Sequence, residues 1–239
     1  MNAAVRVALE PVWVLHRRPY RDTSELVDLF TRHHGRVAAI ARGSRSGRRR
    51  VPLEPFQPLH ASWSGRGELV TLGAVESRGP GLQAAGRRLL SMFYVNELLL
   101  RLTARQDPQP EMFSLYEDTI HSLAGDRQEA TVLRVFERDL LELLGYGLVL
   151  DRDADGSAVE PAIRYVYRLE EGPRPASRQS PGTLSISGAT LAAIRTGRFE
   201  TADCLHEARV LLTAAIDHQL GGRPLKTRLV LGALRRRAT

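Results

Sequence analysis

Apolar and polar residues alternate over most of the first 78 positions. Val5, Val7 and Leu9 alternate, and Val12 to Leu15 extend the apolar content. Glu25–Thr31 carries Leu26, Val27, Leu29 and Phe30, and Arg36–Ala41 carries Val37 and Ile40. Alternation returns over Leu59–Trp63 and Glu68–Val75. Turn residues separate the runs: Asp22-Thr23-Ser24, His34-Gly35, Gly43-Ser44 and Ser64-Gly65-Arg66-Gly67. Period-2 runs of this length predict five strands. So many short strands predict a small barrel, and periodicity leaves OB-type and SH3-like closure both open.

The period changes at Gly79-Pro80-Gly81. Arg87–Arg105 reads as a mostly buried helix, with Glu97, Arg101 and Arg105 as its polar stripe. Asp107-Pro108 reads as an N-cap and first turn, predicting a helix to about Leu123 that Gly125 ends. A third helix over Glu129–Leu144 has Arg134, Arg138 and Glu142 as a charged stripe, with Gly145 as its terminating glycine. Residues 151–183 are polar and rich in Gly, Pro and Ser, and predict an irregular insertion with a short hairpin around Arg164–Leu169. Ser187 caps a helix ending before Gly197, and another covers about Leu205–Gln219. Gly221-Gly222 breaks it, and Pro224 begins a last basic helix. The pattern predicts an α+β chain, with a small β-barrel over 1–80 and a mainly helical domain over 81–239. The irregular insertion falls at about 148–185.

Charge changes this picture. The 239 residues carry a net +7, and Lys226 is the sole lysine. Residues 1–80 hold 13 arginines against 7 acidic residues, so +6 of the excess lies in the first third. From Arg36 to Arg50 there are six arginines and no acid. Such a run points to a polyanionic partner, the alternative being a solvated basic loop. No apolar run has the length a membrane helix needs. Arg6, Glu10 and Pro11 argue against a secretory signal. A lone cysteine, Cys204, forms no intramolecular disulfide, which suits a reducing compartment and predicts a cytoplasmic protein.

Four segments, in order along the chain, resemble the RecO family of recombination proteins. The first is Asp22-Thr23-Ser24-Glu25-Leu26-Val27-Asp28-Leu29-Phe30-Thr31, with Gly35-Arg36-Val37 and Ala41-Arg42-Gly43-Ser44-Arg45 following it. The second is Phe93-Tyr94-Val95-Asn96-Glu97-Leu98-Leu99. The third is Leu143-Leu144-Gly145-Tyr146-Gly147, and the fourth is Gly221-Gly222-Arg223-Pro224-Leu225-Lys226-Thr227-Arg228. The resemblance implies an OB barrel followed by a helical domain, binding of single- and double-stranded DNA, and strand annealing. It implies partnership with RecR and with the acidic C-terminal tail of single-strand binding protein (SSB), upstream of RecA loading. Many members of that family carry a four-cysteine zinc module after the Gly-Tyr-Gly segment. Here Leu148–Glu171 contains no cysteine, so no zinc and no other cofactor is expected.

Four candidate sites follow. The basic loop offers Arg36, Arg42, Arg45, Arg48, Arg49 and Arg50 to phosphates, with glycines and serines between them. Tyr20, beside Arg17, Arg18 and Arg21, is the better-exposed stacking candidate, whereas Trp63 alternates into the core. Resemblance places an SSB-tail groove on the third helix at Arg134, Phe136, Leu141 and Leu144. The bland reading there is core for the apolar residues and a solvated stripe for Arg134. Arg223, Lys226 and Arg228 extend the basic surface, or complement a helix dipole.

Catalytic patterns are missing. There is no nucleophile elbow and no Gly-x-x-x-x-Gly-Lys loop for ATP. Asp151, Asp153 and Asp155 alternate as in a calcium loop, but position 162 is alanine where the closing glutamate belongs. The chain is therefore expected not to be an enzyme. The rival readings are an OB scaffold for protein or RNA, and a diverged nuclease subunit.

Overall fold

The computed structural model describes residues 5–45, 53–176 and 184–237. Contacts divide the chain into two compact units. One runs through Ala124 and takes back the chain from Leu225; the other is Gly125–Pro224.

The first unit is built on a closed barrel. Its strands are β1 (Val5–Tyr20), β2 (Ser24–Thr31), β3 (Gly35–Ala41), β4 (Leu59–Gly65) and β5 (Leu69–Ser77). They close in the order β1-β2-β3-β5-β4, with β3 and β5 parallel and the other pairs antiparallel. That is an OB-type closure, which resolves the choice that periodicity leaves open. β1 serves two partners because it bends. Register shifts at Val7/Glu10 and Val14/His16 let its first half pair with β4 and its second half with β2. Inward residues, among them Val27, Leu29, Ala39, Trp63 and Val70, make the barrel core.

Two helices, α1 (Gly86–Leu102) and α2 (Pro110–Ala124), cover part of the barrel's outside. Trp13 and Phe30 point outward to them and meet Tyr116 and Phe113. Asn96 donates to the Leu15 carbonyl and accepts from the Tyr116 hydroxyl, both bonds buried. Glu117 accepts from Trp13 Nε1 at 3.0 Å, from Arg32 at 3.2 Å and from Arg78. α2 starts two residues later than Asp107-Pro108 predicts. Gln106 donates to the Arg36 carbonyl, and a Cβ on Gly35 would lie 2.2 Å from the Asp107 carbonyl oxygen. The chain is held extended against the start of β3, so Pro110 opens the helix instead.

The second unit begins with α3 (Glu129–Leu143). A sheet of order β7-β6-β8 follows, from β6 (Arg164–Arg168), β7 (Gly172–Pro175) and β8 (Leu184–Ser187). The expected hairpin is β6-β7; β8 adds a strand too short for sequence periodicity to reveal. Two helices complete the unit, α4 (Gly188–Thr196) and α5 (Ala202–Gln219). Tyr165, Tyr167, Ile186, Leu191 and Leu211 share its core. Of the charged stripe expected on α3, Glu142 is exposed, but the two arginines are engaged within the unit. Arg134 is buried and pairs with buried Glu137 at 2.6 Å, and Arg138 donates to the Ile194 and Arg195 carbonyls at the end of α4. The acidic turn is self-capped, because Asp153 Oδ1 accepts the backbone N–H groups of Asp155 and Ser157.

The final helix, α6 (Lys226–Arg237), belongs to the first unit and packs on α1. Each unit joins distant segments with a carboxylate at a helix start. Glu97 on α1 accepts from the backbone N–H groups of Lys226 and Thr227 and from the Thr227 hydroxyl. Glu207 on α5 accepts from the backbone and hydroxyl of Ser187 and from Thr190. Partial burial pushes the Glu207 pKa up. The Ser187 backbone, the Thr190 and Ser187 hydroxyls and the Arg164 guanidinium outweigh it and hold the carboxyl below its usual range. Glu97 is lowered in the same way by the start of α6 and by Arg101, against its own burial. A carboxylate with a lowered folded pKa stabilises above its unfolded pKa of about 4.3 and loses that contribution as pH falls through the folded value. Glu207→Gln is therefore expected to cost about 1–2 kcal/mol at pH 7. The gap to the parent protein should close as pH drops below about 4. Denaturant midpoints at the two pH values check this.

Candidate nucleic-acid interface

The register of the barrel sorts its arginines. Arg18 pairs with Leu26, Leu26 with Ile40, and Ile40 with Thr71 across β1, β2, β3 and β5. The neighbouring row, Val27, Ala39 and Val70, is core. Alternation therefore turns Arg18, Leu26 and Ile40 outward. Tyr20, opposite Ser24, lies two residues further along the same outward row of β1. Arg42 follows directly on Ala41, which pairs with Glu25. Arg18, Arg42 and Arg45 are exposed, and Tyr20, Leu26 and Ile40 are half-buried. The Arg45 N–H donates to the Thr23 carbonyl at 3.1 Å, tying the loop after β3 to the β1-β2 turn. Arg21 in that turn has φ 54°, and its guanidinium lies 5.2 Å from the Tyr20 ring centroid. One end of the β1-β2-β3 face thus carries four arginines around an aromatic ring and two aliphatic side chains. Among the described residues, no ion-pair partner meets Arg18, Arg42 or Arg45.

Other arginines of the candidate set are engaged within the protein. Arg17 alternates inward at the barrel mouth, where it meets Glu54 at 2.7 Å and Glu25 at 3.6 Å. Arg36 is the second residue of β3, six residues from Arg42, or about 20 Å along the strand. It meets Asp28 at 3.7 Å and donates to the Thr103 carbonyl at 3.0 Å. Burial lowers its pKa and Asp28 works against that shift, with Arg105 adding to it. Arg228 donates to the Tyr94 hydroxyl and lies over that ring. The Lys226 backbone is capped by Glu97, but its side chain is exposed. Arg223 is exposed at the end of the second unit. Arg48, Arg49 and Arg50 lie outside the described residues.

In the second unit, Phe136 is fully buried, Leu141 is buried and Leu144 is half-buried at the end of α3. Leu141 lines a 320 Å³ pocket with Tyr146, Leu148, Leu169 and His218. Arg134 is engaged with Glu137. Loop composition hides the contributions of Leu26, Ile40 and Arg21; strand alternation is the signal that finds the first two.

Comparison with known proteins agrees along nearly the whole chain. A family model described as "Recombination protein O N terminal" matches residues 8–80, and one described as "Recombination protein O C terminal" matches residues 83–229. The chain is 45% identical over 226 residues to a protein named DNA repair protein RecO from Methylococcus capsulatus, covering 93% of this chain and 92% of that one. A protein of the same name from Nitrosococcus oceani is 44% identical over 235 residues, covering 97% and 96%. One from Alkalilimnicola ehrlichii is 47% identical over 234 residues, covering 97% and 93%.

Proposed function

The chain belongs to the recombination protein O (RecO) family of DNA repair proteins, and on that premise we propose that it is a non-enzymatic, DNA-binding recombination mediator. It binds single- and double-stranded DNA, anneals complementary strands, and acts with RecR to help RecA load on SSB-coated DNA. The observation that carries this reading is the open β1-β2-β3 face with Arg18, Arg42 and Arg45 around Tyr20. OB folds bind oligonucleotides on the face of strands 2 and 3 and at the adjoining loops. Arginines that form no ion pair among the described residues supply phosphate contacts without sequence preference. Tyr20 supplies a ring for an unstacked base. Arg48, Arg49 and Arg50, Arg223 and the Lys226 ammonium extend the charge available to a strand, while Arg17, Arg36 and Arg228 act through the fold that presents it.

For the SSB tail, the proposed seat is the region of Arg134, Phe136, Leu141 and Leu144. Its support is the open pocket beside Leu141, whose apolar wall suits the apolar end of such a tail.

The test is binding of labelled single strands and duplexes in chelator, without nucleotide. Salt-sensitive complexes with intact DNA are expected. Shortening of the strand when a divalent metal is added would identify a nuclease instead, and salt-insensitive or absent binding would favour a scaffold for other partners.

A further inference from the structure

We infer that a pocket beside the cationic face seats one nucleobase of a bound single strand, an inference that rests on the DNA-binding reading above. The pocket has a volume of 380 Å³ and lies within the first unit, where the outward sides of β1 and β2 meet α1 and α6. Leu15, Leu90, Phe93, Leu100 and Val230 form its apolar wall. His16 and Asp28 form part of its barrel side, and Arg101 and Lys226 are its cations.

Three observations select the occupant. The first is continuity. His16 and Arg18 are successive outward residues of β1, about 6.6 Å apart along the strand, and Tyr20 follows at the same spacing. A strand whose phosphates engage Arg18 and Arg42 therefore passes the pocket with a base free to turn in. The second is shape and chemistry. The volume is near the lower end for small-ligand sites, which suits one planar ring better than a folded peptide segment. The wall combines aliphatic side chains with Phe93, whose ring meets Phe56 at 65°. The third is charge. The two carboxylates at the pocket are met from within. Glu97 holds the start of α6 and lies 3.9 Å from Arg101, and Asp28 lies 3.7 Å from Arg36 and 3.6 Å from Arg105. The Lys226 side chain is exposed, with no ion-pair partner among the described residues, and is available to the phosphate beside the inserted base. Asp28 Oδ2 has His16 at 4.0 Å and can accept an N–H on the base edge.

The test compares the parent protein and Val230→Trp on three ligands: a 20-mer single strand, the same strand with alternate abasic residues, and a duplex. Val230 is 46% exposed, so the larger ring blocks the pocket without entering the core. Loss of one seated base is expected to weaken binding of the intact strand by about tenfold. Affinity for the abasic strand and the duplex should be unchanged. Equal binding of the intact strand by both proteins would overturn the inference. So would equal weakening on all three ligands. A second measurement needs no variant: 2-aminopurine in the strand should brighten as the base leaves its stack, and unchanged emission overturns the inference. Absence of any salt-sensitive binding by the parent protein would instead remove the DNA-binding reading itself.

Discussion

Replacing Arg18, Arg42 and Arg45 together with alanine is expected to flatten the salt dependence of single-strand binding. Each phosphate contact on a single strand contributes about −0.7 to the slope of log K against log salt, so losing three reduces it by about 2. The loss should be similar for all sequences, because phosphate contacts carry no sequence information. Stability should stay within about 0.5 kcal/mol of the parent, since these side chains are exposed and hold no ion pair among the described residues. Arg36→Ala is the contrasting variant. It removes a half-buried cation from Asp28 and the Thr103 carbonyl, so it should lower stability and leave the salt slope in place. Anisotropy titrations over a range of salt, paired with denaturant unfolding, separate the two effects. A slope unchanged in the triple variant would remove the face from the DNA site.

Glu117→Ala is expected to destabilise the protein by about 2–3 kcal/mol, among the largest effects of a single polar change. Its carboxylate joins α2 to three positions on or beside the barrel, through Trp13, Arg32 and Arg78. Truncation leaves the indole N–H of fully buried Trp13 without its acceptor. It also leaves two guanidiniums against aromatic rings, Arg32 over Phe113 and Arg78 over Trp13. Both guanidiniums reach solvent in part, which keeps the cost below that of a fully buried pair. Glu117→Gln keeps an acceptor for Trp13 and should fall between the two. Urea midpoints check the order. Equal stability of all three proteins would mean that aromatic packing alone holds α2 in place.

The strands were legible because alternation reports which side of a strand is apolar. Closure was not, because β1-β4 and β3-β5 pairing joins residues dozens of positions apart. The Arg36–Arg50 run reads as one patch in the sequence, yet β3 carries Arg36 to the opposite end from Arg42. Helical spacing likewise groups Arg134, Arg138 and Glu142 without saying what covers them, and Arg134 proves buried against Glu137. The motifs that carry the family resemblance acquire a physical reason once the chain is folded. The second and fourth meet, through Glu97 at the start of α6 and Tyr94 against Arg228. In the first, Gly35 leaves no room for a Cβ beside the Asp107 backbone. Tyr20 and Arg21 were visible as neighbours, but their stacking and the αL backbone of Arg21 depend on the turn that β1 and β2 impose.

The most direct test of the central claim is annealing of complementary oligonucleotides, bare and SSB-coated, at two salt concentrations without ATP or metal. Annealing of both substrates by the parent protein is expected, weaker at the higher salt, with a marked loss in the Arg18, Arg42 and Arg45 variant. Failure to anneal even bare strands at low salt, or annealing that the variant retains in full, would contradict the claim.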